Sequence, residues 1–135
     1  MSKTLGYRLF RLGRVPKTWR KELEAEDILC CDEGVPVEIC YRNYQAPGKR
    51  FGYKRSSNSG SIVVSGNRLA IFFARWPILV AELGSRQMQA IHLEISAPNV
   101  LQITFDAHAL DSQRSGSVQI AVRTALAAQI ERLVE

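Results

Sequence analysis

The sequence lacks any long apolar run, and its first residues lack the apolar core of a secretion signal. No segment approaches the ~20 apolar residues that a membrane-spanning helix needs. Three arginines, Arg8, Arg11 and Arg14, interrupt the region where a signal peptide would carry its apolar core. A length of 135 residues fits one domain. We therefore expect a single-domain cytoplasmic protein.

Cysteine is scarce and catalytic motifs are absent. Cys30, Cys31 and Cys40 form no Cys-x-x-Cys pair, and neighbouring side chains of a strand point to opposite faces, so we expect reduced thiols and no metal. No Walker loop, dinucleotide-binding glycine pattern, His-Glu-x-x-His or Gly-x-Ser-x-Gly occurs. Asp106 and His108 share strand parity, but no nucleophile accompanies them. We predict no catalytic residue and no cofactor.

Acidic residues are missing from two stretches, Met1–Lys21 and Ile39–Ala81. The cations of these stretches are Lys3, Arg8, Arg11, Arg14, Lys17, Arg20, Lys21, Arg42, Lys49, Arg50, Lys54, Arg55, Arg68 and Arg75. Seven acidic residues lie between the two, within 22–38. Two basic stretches thus flank an acidic one, and the sequence leaves open whether they meet in space.

Hydrophobic periodicity predicts a helix near each end of the chain. Pro16 precedes residues 17–26, in which Trp19 and Leu23 are four apart and give an apolar stripe. Near the C-terminus, apolar residues recur at helical spacing, at Val122, Leu126, Ile130 and Leu133. A helix of ~12 residues is marginal alone in water, so we expect the second helix to cap the open end of the β structure.

Between the helices, apolar and polar residues alternate with period two, which predicts seven strands. The segments are 35–42, 62–64, 69–73, 78–83, 91–95, 101–105 and 118–122. A long loop is predicted from Ala46 to Gly60, and Gly66-Asn67 suits a type II′ turn between the second and third strands. The predicted class is mainly β, a seven-stranded antiparallel sandwich or barrel.

The segment Ile62-Val-Val-Ser-Gly-Asn-Arg-Leu-Ala-Ile-Phe72 resembles a hairpin common in bacterial pleckstrin-homology and GRAM-like domains. The resemblance covers about 32–133, and its order of seven strands and one terminal helix agrees with the pattern above. It implies a pleckstrin-homology-like domain over 32–135. The residues before it, 1–31, are predicted from their charge and periodicity to form a basic N-terminal segment with a short helix. The bacterial domains that it resembles have no assigned chemistry.

The best candidate site is the predicted loop between the first two strands, where cations and aromatic residues are interleaved. Its candidate residues for an anion or a partner are Arg42, Lys49, Arg50, Phe51, Tyr53, Lys54 and Arg55. In eukaryotic pleckstrin-homology domains, the equivalent loop often meets phosphoinositide head groups. The same composition also suits single-stranded nucleic acid, or a solvated loop without a ligand.

These observations favour a non-catalytic recognition module that binds a protein partner or itself as a homo-oligomer. The alternative is a peripheral adaptor that contacts anionic membrane surfaces through the basic N-terminus and the same loop. A third interpretation, an enzyme or small-ligand carrier, requires a concave apolar pocket with convergent polar groups.

Overall fold

The computed structural model describes residues 13–134, so the basic residues Lys3, Arg8 and Arg11 lie outside the described part. Its helices are α1 (Lys17–Ala25), α2 (Arg86–Gln89), α3 (Ala107–Leu110) and α4 (Ala127–Val134). Its strands are β1 (Ile28–Ala46), β2 (Lys49–Ser65), β3 (Arg68–Phe73), β4 (Trp76–Glu82), β5 (His92–Ala97), β6 (Val100–Asp106) and β7 (Ser115–Arg123). The predicted mainly β fold with a helix near each end is confirmed.

The seven strands form one antiparallel sheet in the order β4-β3-β2-β1-β7-β6-β5. Within residues 13–134, no pairing joins β4 to β5, so the sheet is open and not a closed barrel. Leu79 on β4 and Leu101 on β6 nevertheless share one buried cluster with Ile39 on the central strand. The sheet therefore curves around a single apolar interior, and β4 and β5 remain as its edges.

A second, smaller core lies on the outer face of the β1–β4 half of the sheet. Val63, Ala70 and Phe72 are buried there beneath Leu23, which is fully buried on α1. Helix α1 thus covers this face, so the central residues of β2 and β3 are buried on both sides and read as continuous apolar runs. The apolar stripe predicted at Trp19 and Leu23 thus faces the sheet, and the Trp19 ring meets Phe72 edge-on at 5.7 Å between centroids.

The two adjacent cysteines contribute to different cores. Cys30 belongs to the interior of the curved sheet, whereas Cys31 packs against the cluster beneath α1. Burial raises the pKa of the Cys31 thiol to about 11. All three cysteines are free thiols.

Strands β1 and β2 are much longer than predicted. Bulges interrupt the alternation of apolar and polar residues in β1, and the first part of β2 is too polar to show such an alternation. The pairing of β1 with β2 shifts between Glu33 and Val35, where Gly34 takes a φ of +69°. The alternation therefore starts only at Val35, although the strand begins at Ile28. The predicted loop over 46–60 is also wrong: residues 49–60 belong to β2 and pair with β1.

Gly66-Asn67 connects β2 and β3 as predicted, but the predicted turn type is wrong. Gly66 does not take a left-handed φ, so the turn is not type II′. A Cβ at Gly66 would lie 2.7 Å from the Glu26 carbonyl oxygen, and the Gly66 N–H donates to the carbonyls of Glu26 and Asp27 at 3.1 and 3.0 Å. Glycine is needed here because the end of α1 presses on the turn.

Ion pairs fix α1 and the chain before it to the sheet. The Glu26 carboxylate accepts from Nε and Nη2 of Arg68, whose guanidinium also lies 5.6 Å from the Trp19 ring centroid. Arg20 donates to Glu33 Oε1 at 2.6 Å, and the Val15 N–H donates to Glu33 Oε2 at 2.7 Å. The helix is therefore part of the folded domain, and β1 begins four positions before the predicted boundary at residue 32.

The C-terminal helix starts later than its periodicity predicted. Val122 lies in β7, and Thr124, fully buried, accepts from the Leu126 N–H at 3.1 Å while its hydroxyl donates to Asp32 Oδ2 at 2.6 Å. Ala127 and Ile130 of α4 then enter the interior of the curved sheet. Among residues 13–134, no helix has the length and apolarity that crossing a bilayer would require.

Candidate functional site: a basic hairpin

The predicted site residues all lie on the outer part of the β1–β2 hairpin, between Arg42 and Arg55, which we call the basic hairpin. Its tip is the two-residue connection Pro47-Gly48 between the paired residues Ala46 and Lys49. Proline first and glycine second, with Gly48 at a φ of +76°, is the signature of a type II turn. The site is therefore a paired ribbon and not the long loop that we predicted.

Three aromatic rings hold the basic hairpin to the rest of the domain. Tyr41, Tyr44 and Phe51 have centroid separations of 4.7, 5.8 and 5.9 Å. Tyr44 is buried within the interior cluster, and Tyr41 and Phe51 pack against it. Such contacts add about 0.5–1.5 kcal/mol per ring pair beyond simple burial, so this ribbon is anchored at its base.

A bulge in β1 brings Tyr44 to the interior side. Asn43 takes a φ of +51°, and the pairing of β1 with β7 shifts by one residue between Arg42 and Gln45. The extra residue lets Tyr44 join the same core as Ile39, although the two positions differ in parity. Opposite the bulge, Gly116 of β7 takes a φ of +100°, and a Cβ there would lie 2.4 Å from the Asn43 carbonyl oxygen.

The cations of the basic hairpin fall into two groups. Arg55 forms an exposed ion pair with Glu38 at 2.8 Å, and this hydrogen bond raises the pKa of its guanidinium. Arg42, Lys49, Arg50 and Lys54 are exposed and form no salt bridge with any residue of the described chain. These four carry the charge that is free to meet a ligand.

Two of the four free cations lie over aromatic rings. Lys54 Nζ is 4.5 Å from the Phe51 ring centroid, and Arg42 Cζ is 5.9 Å from that of Tyr53. Tyr53 is 59% exposed, which makes it the most accessible aromatic side chain of the hairpin. The cations are thus partly oriented before any ligand binds, which lowers the conformational entropy that binding must offset.

Sequence reasoning missed Arg114, which precedes β7 and joins the site from 70 positions away. Its Nε donates to the Tyr44 hydroxyl at 2.6 Å, and its guanidinium lies 5.1 Å from the centroid of the same ring. No local pattern could have found it, because its neighbours form a polar loop and its role depends on the pairing of β1 with β7.

The cation of α1 that contacts β1 does not reach the basic hairpin. Arg20 pairs with Glu33, whereas Arg50 lies opposite Gln45, twelve residues further along the same strand. At about 3.3 Å per residue, these two points are on the order of 40 Å apart along the strand. Within residues 13–134, Arg20 of the first basic stretch therefore lies far from Arg50 of the second.

The residues that the sequence offered as metal ligands or catalytic groups can be placed within residues 13–134. Among residues 13–134, no group of three His, Cys, Asp or Glu side chains comes together as a metal site. Asp106 ends β6, and its Oδ1 accepts from the backbone N–H of His108 at 2.9 Å, so the carboxylate caps α3 and does not orient the imidazole. The raised pKa of Cys31 keeps its thiol protonated near neutral pH, which makes it a poor nucleophile.

Comparison with known proteins gives no significant match to a family model, a curated protein or a solved structure.

Proposed function

We propose that this protein is a cytoplasmic, non-catalytic recognition module of the pleckstrin-homology-like kind, and that it binds a protein partner through the basic hairpin. The observation that carries the proposal is the group of four free cations on a ribbon anchored by buried aromatic rings. A partner with clustered carboxylates is the complementary ligand. Three free thiols are in keeping with a reducing compartment.

The order of the structural elements supports the pleckstrin-homology-like assignment. Seven antiparallel strands are followed by one helix that enters the interior of the curved sheet, as the resemblance of Ile62–Phe72 implies. The fold by itself does not define a ligand, so the functional argument rests on the charges and rings of the hairpin.

The alternative, an adaptor on anionic membranes, is weakened by the number of cations at the hairpin tip. Each basic side chain at an anionic surface contributes about 1 kcal/mol. The four free cations, Arg42, Lys49, Arg50 and Lys54, would together give about 4 kcal/mol, which corresponds only to about millimolar affinity. Arg68, which the sequence counted with them, is paired with Glu26.

Nucleic acid is a weaker alternative because the rings are not available for stacking. Single-stranded nucleic acid binds where successive bases stack on exposed aromatic side chains. Tyr44 is buried, and Tyr41 and Phe51 are packed against the core, so Tyr53 is the one ring of the hairpin that is largely exposed. Self-association is the second candidate, since β4 and β5 are the edges of the sheet within residues 13–134.

The experiment compares four labelled probes at low and high salt by fluorescence anisotropy. The probes are an oligoglutamate peptide, an oligoserine peptide of equal length, anionic vesicles and a single-stranded oligonucleotide. We expect the acidic peptide to bind more tightly than the other three, and the double variant Arg50→Ala/Lys54→Ala to lose at least about tenfold in affinity.

The matched control is Lys21→Ala/Arg86→Ala, which removes two exposed cations from α1 and α2 and should bind as the wild type does. Tighter binding to vesicles or to the oligonucleotide than to the peptide would favour those alternatives. Equal affinity of both double variants and the wild type for the acidic peptide would contradict the proposal.

A further inference from the structure

Within residues 13–134, the first part of β2 is a free strand edge. Strand β3 pairs with β2 only over Gly60–Val64, and the Ala74 N–H then donates to the Ser59 carbonyl at 2.8 Å. From Lys49 to Asn58, β2 is paired on one side with β1, and no strand of the described chain pairs with its other side. Alternate residues of such a strand direct their N–H and C=O groups outward, where they can pair with an added strand.

This edge is better suited to pairing than the two ends of the sheet. Edge strand β4 contains Pro77, which removes one backbone donor. Edge strand β5 covers only His92–Ala97. Lys49–Asn58 is longer than either and contains no proline, so it offers an uninterrupted row of donors and acceptors of about 34 Å at 3.4 Å per residue.

The positive charge of this edge favours an acidic segment over a second copy of the chain. Lys49, Arg50 and Lys54 lie along it without a salt bridge to any described residue, and Arg55 beside them pairs with Glu38. No acidic residue occurs between positions 39 and 81. Pairing with a second copy would gather the cations of both chains into one ribbon, which is unfavourable because like charges on adjacent strands repel. An extended segment rich in glutamate or aspartate would instead place its carboxylates beside these cations.

One end of the free edge adjoins an exposed aromatic residue. Phe73 pairs with both Gly60 and Trp76, so the β3–β4 turn lies next to the point at which the free edge ends. Trp76 is 67% exposed, and Arg75 beside it is exposed as well. An exposed tryptophan next to an arginine is the kind of pair that anchors protein interfaces.

We infer that the Lys49–Asn58 edge of β2 takes up an extended acidic segment of a partner protein as an added strand, which ends against Arg75 and Trp76. The inference rests on the proposed function and names the chemistry and conformation of its partner. Backbone hydrogen bonds then supply affinity that is independent of side chains, and the cations select for acidic sequences.

The test uses peptides whose backbone donors can be removed without changing their charge. The probe is the tightest binder from a pool of peptides of about ten residues, the length of the free edge, with glutamate at alternate positions and Val, Thr, Ile or Tyr between them. Two derivatives of this peptide are N-methylated, one at the even positions and one at the odd positions. Only one of the two sets of N–H groups faces β2 in an added strand.

We expect one N-methylated derivative to bind as the parent peptide does, and the other to lose at least tenfold in affinity. On binding of the parent, amide exchange should slow at alternate residues of Lys49–Asn58. Trp76→Ala should weaken binding several-fold, whereas Leu29→Ala, which truncates another exposed apolar side chain at 49% exposure, should not.

Failure of the inference can be distinguished from failure of the proposed function. If both derivatives bind as the parent does, while Arg50→Ala/Lys54→Ala abolishes binding, the hairpin recognises acidic peptides by charge alone and the added strand is excluded. If no peptide of the pool binds more tightly than about 1 mM, or if the double variant has no effect, both are overturned.

Discussion

The Ser65 hydroxyl on β2 donates a 2.8 Å hydrogen bond to Glu26 Oε1 at the end of α1. Ser65 Oγ also accepts hydrogen bonds from the backbone N–H groups of Arg68 and Asn67 at 2.9 and 3.2 Å. Four positions earlier on the strand, Ser61 is equally buried, but its hydroxyl has no hydrogen-bond partner within the described chain. One strand thus holds two fully buried serines with opposite energetic roles.

We predict opposite effects when each serine is replaced by alanine. Ser65→Ala should lower the free energy of unfolding by about 1–3 kcal/mol, because it leaves buried polar groups without a partner. Ser61→Ala should leave it unchanged or raise it by up to about 1 kcal/mol, because it removes an unsatisfied hydroxyl. Urea unfolding of the two variants is the measurement, and equal losses would contradict the assignment.

The Glu26–Arg68 pair should make stability depend on pH. The hydrogen bond from Arg68 lowers the pKa of Glu26 below its ordinary value of 4.5. A carboxyl with a depressed pKa in the folded state stabilises the fold above its unfolded pKa, and the contribution is lost as the pH falls through the folded pKa. Glu26→Gln should therefore lose about 1–3 kcal/mol at neutral pH, and its difference from the wild type should shrink below about pH 4.5.

The matched control for this prediction is Glu24→Gln on the same helix. Glu24 forms an exposed ion pair with Arg20 at 3.6 Å, four residues apart. Exposed pairs of this kind contribute about 0.3–0.5 kcal/mol, so this variant should change little at either pH. Urea titrations at neutral and acidic pH test both variants, and a constant gap between Glu26→Gln and the wild type would contradict the sign that we assign.

Sequence patterns found the elements whose burial is regular. Trp19 and Leu23 marked α1, and alternation marked the centres of the strands, because one face of each is dry. The patterns failed where a bulge interrupts alternation, as at Gly34, or where a paired strand is mostly exposed, as over 49–58. Because residues 49–58 are polar, they were predicted to form a loop, whereas pairing with β1 holds their backbone in a strand.

The residues of the candidate site were predictable from the sequence, but their paired conformation and their contacts were not. Arg42 to Arg55 were identified from their charge and aromatic content, and they do lie together on one hairpin. Their partners were not predictable. The Arg55–Glu38 pair and the contact of Arg114 with Tyr44 depend on strand register, which alternation alone does not set when bulges intervene.

Two glycines of β2 should differ sharply in their tolerance of alanine. A Cβ at Gly60 would lie 2.1 Å from the Phe72 carbonyl oxygen and 2.6 Å from Val37 Cγ2, so neighbouring strands would have to move apart. We expect Gly60→Ala to cost more than about 3 kcal/mol or to prevent folding. Gly52→Ala meets nothing within 4 Å and should change stability by less than about 1 kcal/mol. Thermal unfolding decides, and a stable Gly60→Ala variant would show that the strands can separate there.

The hydrogen bond between Tyr44 and Arg114 should contribute to the rigidity of the basic hairpin. Tyr44→Phe keeps the ring in the core but removes the acceptor of Arg114 Nε, so we expect a loss of about 0.5–1.5 kcal/mol. Amide exchange over residues 49–55 should accelerate, because the base of the ribbon loses one contact. Tyr53→Phe, on an exposed ring, is the control and should stay within about 0.5 kcal/mol of the wild type. If exchange in the hairpin were the same in both variants, the aromatic rings alone would anchor it, and Arg114 would count with the free cations.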